Sequence, residues 1–168
     1  MAHIELRGLG HQYTAKTTKK KGGAPAEEKV FRIENLDLEW KDSSANALLG
    51  PSGCGKTTLL NIISGLLVPQ EGSVLFDGKD VTRLSPRERH ISQVFQFPVV
   101  YESLSVYGNI AYPLKNDRVP AQDIKKRVYE IAELLELTDV LNKSTEILTA
   151  ADKQKVSLGR GLVRKDTA

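Results

Sequence analysis

"GPSGCGKTT", Gly50 to Thr58, is the stretch that decides the fold of this 168-residue chain. It matches G-x-x-x-x-G-K-[ST], in which glycines let the backbone curl so that successive N–H groups point into one concavity. A helix beginning near Lys56 would add the positive end of its dipole. These features predict a polyphosphate site contacted by Gly50, Pro51, Ser52, Gly53, Cys54, Gly55, Lys56, Thr57 and Thr58.

Two side chains of this loop have predicted roles in binding a nucleotide. Lys56 would reach the β- and γ-phosphates, and the hydroxyl of Thr57 would bind Mg²⁺. The alternative is a glycine-rich turn that precedes an ordinary helix and binds no ligand. Nucleotide binding is favoured because a short apolar run precedes the loop and a helical pattern follows it, which is the context this motif requires.

Other nucleotide-binding classes fit the sequence less well. A GTPase should carry N-K-x-D, and the nearest stretch, "NKST" at 142–145, lacks the acid. A small nucleotide kinase would use a mobile arginine-rich lid. The clustered Arg83, Arg87 and Arg89 are instead predicted to lie on an exposed helix, with Ser85 as N-cap and Glu88 at the capping-box position.

The pattern of apolar residues predicts an α/β fold with a mostly parallel sheet. The predicted strands are "HIELRGL" at 3–9, "FRIENLDLEW" at 31–40, "ANALLG" at 45–50, "GSVLFDG" at 72–78 and "HISQVFQF" at 90–97. A phase slip near Asn35 suggests a turn or bulge. "KTTLLNIISGLL" at 56–67 predicts a helix, and the later part of the chain looks helical, with Ile124, Val128, Ile131 and Leu135 on one helix face.

Composition narrows the class of protein. A net charge of +3 gives little reason to expect nucleic acid as a partner, and the single cysteine, Cys54, fits a reducing compartment. No apolar run reaches the ~18 residues needed to span a bilayer, and no secretory signal is expected. Residues 14–29 hold no large apolar side chain and predict a flexible, solvated loop.

Four segments together resemble the ATP-binding cassette of ABC transporters, specifically the subunits of carbohydrate and polyol importers. They are Tyr13, the loop and helix "GPSGCGKTTLLNIISGL", the stretch "VTRLSPRERHISQVFQFPVVYESLSVYGNIAYPL", and "LTAADKQKVSLGRGLVR". The resemblance implies that Tyr13 stacks on adenine. It also implies that Gln96 is the Q-loop glutamine, at the end of a strand, where it would touch Mg²⁺ or the attacking water. The implied ligands are ATP and Mg²⁺, with Thr57 and Gln96 on the metal.

The last of these segments matches the family signature, L-S-G-G-Q, only in part. Thr149 keeps the hydroxyl, but the two glycines are Ala150 and Ala151, and the glutamine is Asp152. In the family this segment contacts the γ-phosphate bound to a second cassette. The same residues also form T-x-x-D, a capping box that would start a helix with no ligand at all. Both interpretations of Thr149 remain open from the sequence.

The resemblance leads us to expect a Walker B aspartate, a catalytic glutamate and a switch histidine after the signature helix. Only three residues follow Lys165, and the three histidines all precede the signature. We therefore expect a cassette truncated before Walker B, without a catalytic residue and unable to hydrolyse ATP. The expected domains are a nucleotide-binding core at 1–97, a helical subdomain at 98–148, and the signature helix with the truncated end at 149–168.

The function implied by the resemblance is that of the ATP-binding, energy-coupling subunit of an ABC importer for sugars or polyols, a transport ATPase. The implied partners are a second cassette, identical or different, and membrane permease subunits. The implied location is the cytoplasmic face of the cell membrane, as a peripheral protein. The alternative is a non-hydrolysing nucleotide-binding partner in an asymmetric heterodimer, which the aspartate at position 152 favours for one of two sites.

Overall fold

The computed structural model describes residues 2–13 and 32–164, and these form two compact units that divide after Ile91. The first unit contains strands β1 (Ile4–Gln12), β2 (Arg32–Trp40), β3 (Glu71–Phe76) and β4 (Lys79–Asp80), with helix α1 (Lys56–Ser64). The second contains helices α2 (Val106–Asn116), α3 (Ala121–Leu134) and α4 (Ala150–Leu162), and 3₁₀ turns at Thr138–Val140 and Thr145–Ile147. The division falls before the predicted boundary at 97/98, and the three-domain arrangement stays a prediction.

The sheet of the first unit has the order β2-β1-β3-β4, and every neighbouring pair is antiparallel. The predicted irregularity in β2 is confirmed, because Asn35 has a φ of 43° and the β1–β2 register shifts between Leu6 and Leu9. Asp77 and Gly78, with φ of 50° and 75°, join β3 to β4. Positive φ at both central residues is what the type I′ two-residue hairpin turn requires.

Helix α1 and the sheet share one apolar core. Leu9 and Ile62 are completely buried there, as is Val74. Leu59 and Ile63 extend the buried face of α1, as the helical pattern at 56–67 predicts. This core fixes the helix that the glycine loop precedes.

Two predicted strands do not form. Residues 45–50 carry no strand hydrogen bonds and Leu49 is 88% exposed, while residues 90–97 are also irregular and Phe97 is 76% exposed. A buried parallel strand needs a neighbour for its backbone N–H and C=O groups, and no residue in the described ranges pairs with either segment. The parallel part of the predicted sheet is therefore not formed within these residues.

The second unit is built on the mutual packing of its three helices. Its core includes the fully buried Ile110 of α2, Val128 of α3 and Val156 of α4. The apolar face predicted for α3 is confirmed, since Ile124 and Val128 are buried and Ile131 packs against the same core. The predicted loop at 14–29 lies outside the described residues. In the two described ranges, no helix has the length and apolar character that a membrane span requires.

Candidate nucleotide-binding site

The glycine loop before α1 curls back on itself. Gly53 and Gly55 have φ of 81° and 93°, which side chains with a Cβ rarely adopt. The amide of Cys54 donates to the carbonyl of Pro51 at 3.3 Å and closes the turn. A Cβ on Gly50 would lie 2.6 Å from the Cys54 sulfur, so the loop is tight at that point. The predicted glycine positions thus coincide with real backbone requirements.

The side chain of Lys56 folds onto this loop. Its ammonium donates to the carbonyls of Gly50 and Pro51, both at 2.8 Å, and lies 3.7 Å from the Cys54 sulfur. Gly55, the N-cap of α1, has no side chain with which to cap the amides of the first turn. A cation therefore lies beside a helix N-terminus that no side chain caps, a combination that suits a polyphosphate.

The two threonines that follow Lys56 point to different surroundings. Thr57 is exposed, whereas Thr58 is only 8% exposed. The Thr58 hydroxyl lies 3.4 Å from the hydroxyl of Tyr13. Tyr13 itself is 48% exposed and meets His11 edge-on. The structure thus brings the predicted adenine-stacking residue to the helix that follows the phosphate loop.

Gln96 and Thr149 lie in the second unit. Gln96 is exposed on a bend and not at the end of a strand, because the predicted strand at 90–97 does not form. Thr149 is the N-cap of α4: its Oγ1 accepts from the Asp152 amide at 3.1 Å and donates to the Asp152 carboxylate at 2.7 Å. The N-cap hydrogen bond is therefore present, and the carboxylate of Asp152 pairs with the Thr149 hydroxyl, whereas a full capping box pairs it with the N-cap amide. Gln154 of the same helix donates to the carbonyl of Phe95 at 3.2 Å, beside Gln96.

Arg89 was predicted to be exposed, and that prediction is wrong. Its guanidinium is buried and donates to the carbonyls of Ile62 and Ile63, at 2.7 and 2.8 Å, in the last turn of α1. It also donates to the carbonyls of Thr82 and Leu84. The last carbonyls of a helix lack intrahelical partners, and a cation there complements the helix dipole. Burial lowers the pKa of Arg89 from its ordinary value, an effect that the carboxylate of Asp80 opposes.

The neighbouring stretch "LSPRERH" forms one turn and not a helix. Its capping box is nevertheless made: the carboxylate of Glu88 accepts from the Ser85 hydroxyl at 2.6 Å and from the Ser85 amide at 2.9 Å. Sequence patterns predicted this local contact and missed both Arg89 and His11. Arg89 meets Ile62 and Ile63, which lie far away in sequence, whereas the two-residue spacing of His11 and Tyr13 could have suggested their contact.

A glycine loop that opens a helix, with its lysine folded onto the loop, defines the P-loop class of nucleotide-binding proteins. The profile of the ABC transporter family matches residues 33–167. The chain therefore belongs to the ABC transporter family.

Several curated relatives resemble the chain. The trehalose/maltose import ATP-binding protein MalK of Thermococcus litoralis is 44% identical over 142 residues, 81% of this chain and 38% of the relative. The sn-glycerol-3-phosphate import ATP-binding protein UgpC of Bordetella avium is 42% identical over 165 residues, 98% of this chain and 42% of the relative. The Fe(3+) ions import ATP-binding protein FbpC of Photobacterium profundum is 42% identical over 133 residues, 79% of this chain and 38% of the relative. The chain spans about two fifths of the length of these relatives.

A solved structure shows the same fold. It is cbiO1 from Clostridium perfringens, described as part of the ABC transporter complex cbiONQ. The TM-score is 0.75 over 95% of this chain and 61% of that chain, at 24% identity. The predicted fold class, an α/β P-loop cassette with N-terminal antiparallel strands and a helical part, is confirmed.

Proposed function

We propose that these 168 residues provide the ATP·Mg²⁺-binding part of the energy-coupling subunit of an ABC importer. The observation that carries the proposal is the position of Lys56, whose ammonium lies against the glycine loop at the uncapped start of α1. A cation and a row of helix amides at one place stabilise phosphate negative charge more than either does alone. Family membership and the import ATP-binding relatives support the same function.

Each residue of the site would have a separate task. The amides of 53–58 would bind phosphate oxygens, and Lys56 would neutralise charge on the β- and γ-phosphates. The hydroxyl of the exposed Thr57 would bind Mg²⁺, which spreads the charge of the terminal phosphates. The resemblance to the family assigns Gln96 a role at the metal, and we propose that role for it here. The half-exposed ring of Tyr13 would stack on the adenine.

The relatives support a proposal for the transported substrate and the partners. Two of the three relatives named above import a sugar or a glycerol phosphate, and the third imports iron. We propose a sugar or polyol as substrate. A second cassette and membrane permease subunits would complete the transporter, with this subunit peripheral to the cytoplasmic face of the membrane.

Titration calorimetry on the 168-residue chain tests the phosphate site. ATP·Mg²⁺ and inorganic tripolyphosphate·Mg²⁺ are expected to bind, and adenosine to bind at least about a hundredfold more weakly than ATP, because most contacts are to phosphate. Equal affinity for ATP and adenosine would contradict a phosphate cradle at 50–58.

A specific observation favours the alternative function, a non-hydrolysing partner in an asymmetric heterodimer. The Thr149 hydroxyl is engaged by Asp152, and that carboxylate would face a negatively charged phosphate on a second cassette. Such a subunit would bind ATP in its own loop but support hydrolysis poorly at the site that its α4 helix completes. Mixing the chain with a complete cassette, and measuring hydrolysis at the partner's P-loop that α4 of this chain would complete, separates the two functions: activity at that site contradicts the alternative, and no activity favours it.

We also propose that the 168-residue chain alone does not turn over ATP. Hydrolysis needs a general base near the attacking water, and Gln96 is too weakly basic to accept its proton. Losing such a group typically costs a factor of about 10² or more. Steady-state phosphate release that Lys56→Ala abolishes would contradict this part of the proposal.

A further inference from the structure

His11, on strand β1, is a buried polar side chain that the proposed phosphate site does not use. It is only 7% exposed, and its Nδ1 has no hydrogen-bond partner within residues 2–13 and 32–164. A buried polar atom left unpaired lowers stability, so an apolar residue of similar shape would be expected there for folding alone. The role of His11 must therefore lie in the contacts of its ring and not in a hydrogen bond of Nδ1.

The ring of His11 meets the ring of Tyr13. Their centroids lie 5.1 Å apart and their planes are 86° to each other, an edge-to-face arrangement that aromatic pairs prefer. The other end of the Tyr13 side chain, its hydroxyl, lies 3.4 Å from the buried hydroxyl of Thr58 on α1. The half-exposed Tyr13 thus contacts His11 of β1 through its ring and Thr58 of α1 through its hydroxyl.

We propose that His11 is a positioning residue that sets the plane of the Tyr13 ring for stacking on the base of the nucleotide. The inference rests on the proposed function, in which Tyr13 stacks on adenine. An exposed tyrosine free to rotate would lose rotamer freedom on binding, whereas a ring already held by His11 and Thr58 loses less. The contact would therefore add affinity for the nucleoside part of ATP and none for its phosphates.

Two variants of His11 separate the ring contact from the unpaired nitrogen. His11→Phe keeps a flat ring and removes Nδ1, so it should bind ATP·Mg²⁺ like the parent chain and melt at the same temperature or higher. His11→Ala removes the ring and should weaken ATP·Mg²⁺ about threefold to tenfold, as expected for loss of an aromatic pair. Binding of tripolyphosphate·Mg²⁺ should stay within about twofold of the parent in both.

Tyr13→Phe provides a second, milder variant in case His11→Ala does not fold. It keeps the ring and removes the contact with Thr58. The affinity for ATP should therefore fall by about twofold to threefold, while the affinity for tripolyphosphate stays unchanged. Equal losses of ATP affinity in His11→Ala and His11→Phe, or parallel losses of ATP and tripolyphosphate affinity, would overturn the inference. So would unchanged ATP affinity in both His11→Ala and Tyr13→Phe. Failure of the parent chain to bind tripolyphosphate would instead contradict the phosphate site itself.

Discussion

Helix α1 begins after Gly55, a residue with a φ of 93° and no side chain, whereas helix α4 begins after Thr149, whose hydroxyl accepts from the amide of Asp152. The resemblance to the family predicts that residues at the N-termini of both helices contact a phosphate. At α1 a lysine lies beside uncapped amides. At α4 a threonine and a carboxylate of the same chain occupy the first turn.

The difference shows how one residue at the N-cap decides what a helix start can do. Every helix has amides in its first turn without intrahelical partners. A side chain that caps them adds stability to the helix and removes a donor from any ligand. Glycine does neither, and it leaves the donors and the dipole available to an anion. The start of α1 is suited to binding, and that of α4 to stability.

The largest expected effect concerns the C-terminal end of α1, where Arg89 caps the carbonyls of Ile62 and Ile63. Arg89→Met would remove the donors to four carbonyls, including those of Ile62 and Ile63, and should lower the free energy of unfolding by about 3 kcal/mol. The exposed Arg87→Met is the matched control and should change it by less than about 0.5 kcal/mol. Urea denaturation measures both. Similar values for the two variants would mean that α1 does not depend on this cap.

The second-largest expected effect is the loss of ATP affinity when the lysine near the start of α1 is removed, compared with the lysine near the start of α4. Lys56→Ala should weaken ATP·Mg²⁺ by about a hundredfold, or about 2.7 kcal/mol, because a charged contact to the phosphates is lost. Lys153→Ala, in the first turn of α4, should leave the affinity within about twofold. Calorimetry compares them, with thermal unfolding as a check on folding. Comparable losses would mean that the two starts do not differ as proposed.

Glycine and alanine can be exchanged between the two starts. Gly53→Ala should cost about 1–2 kcal/mol of stability through backbone strain alone, because φ is 81° and a Cβ there would touch nothing within 4 Å. Ala151→Gly should cost about 0.5–1 kcal/mol, because glycine loses more entropy in a helix. If Gly53→Ala is neutral in urea denaturation, the positive φ is not required by the loop.

Removing the cap of α4 should have a smaller effect. Thr149→Ala deletes the acceptor for the Asp152 amide and should lower the unfolding free energy by about 1 kcal/mol. Ser105→Ala, at the N-cap of α2, deletes a matching bond to the Gly108 amide and should cost about as much. A neutral Thr149→Ala beside a costly Ser105→Ala would indicate that α4 is not self-capped in solution.

The smallest expected effect is a pH dependence at the capping box of Ser85 and Glu88. The hydroxyl of Ser85, and after it the Ser85 amide, lowers the pKa of Glu88 below its ordinary value of 4.5. A depressed pKa means that the stabilisation is present above the unfolded-state value and is lost as the pH falls through the folded-state value. The difference in unfolding free energy between the parent and Glu88→Gln should therefore shrink from about pH 6 to about pH 3. A difference independent of pH would contradict the carboxylate contact.

The sequence by itself determined the features that depend on neighbours along the chain. The backbone turn of the glycine loop, the Asp77–Gly78 hairpin turn and the N-cap bond at Thr149 all follow from contacts within four residues. Such contacts need no other part of the molecule, so the residue types at fixed spacings are enough to predict them. The apolar face of α3 is equally local, because helix geometry alone places every third or fourth residue on one side.

Tertiary structure alone decided the rest. Arg89 lies 27 positions from Ile62, and Tyr13 lies 45 positions from Thr58, so no local pattern could pair them. The segment at 45–50 shows that a local pattern can also predict a structure that the tertiary fold does not form. Its apolar residues predict a strand, but a strand forms only where another backbone meets its hydrogen-bonding groups, and within the described ranges none does. Local chemistry specifies caps and turns, and only the packed chain decides which distant groups become partners.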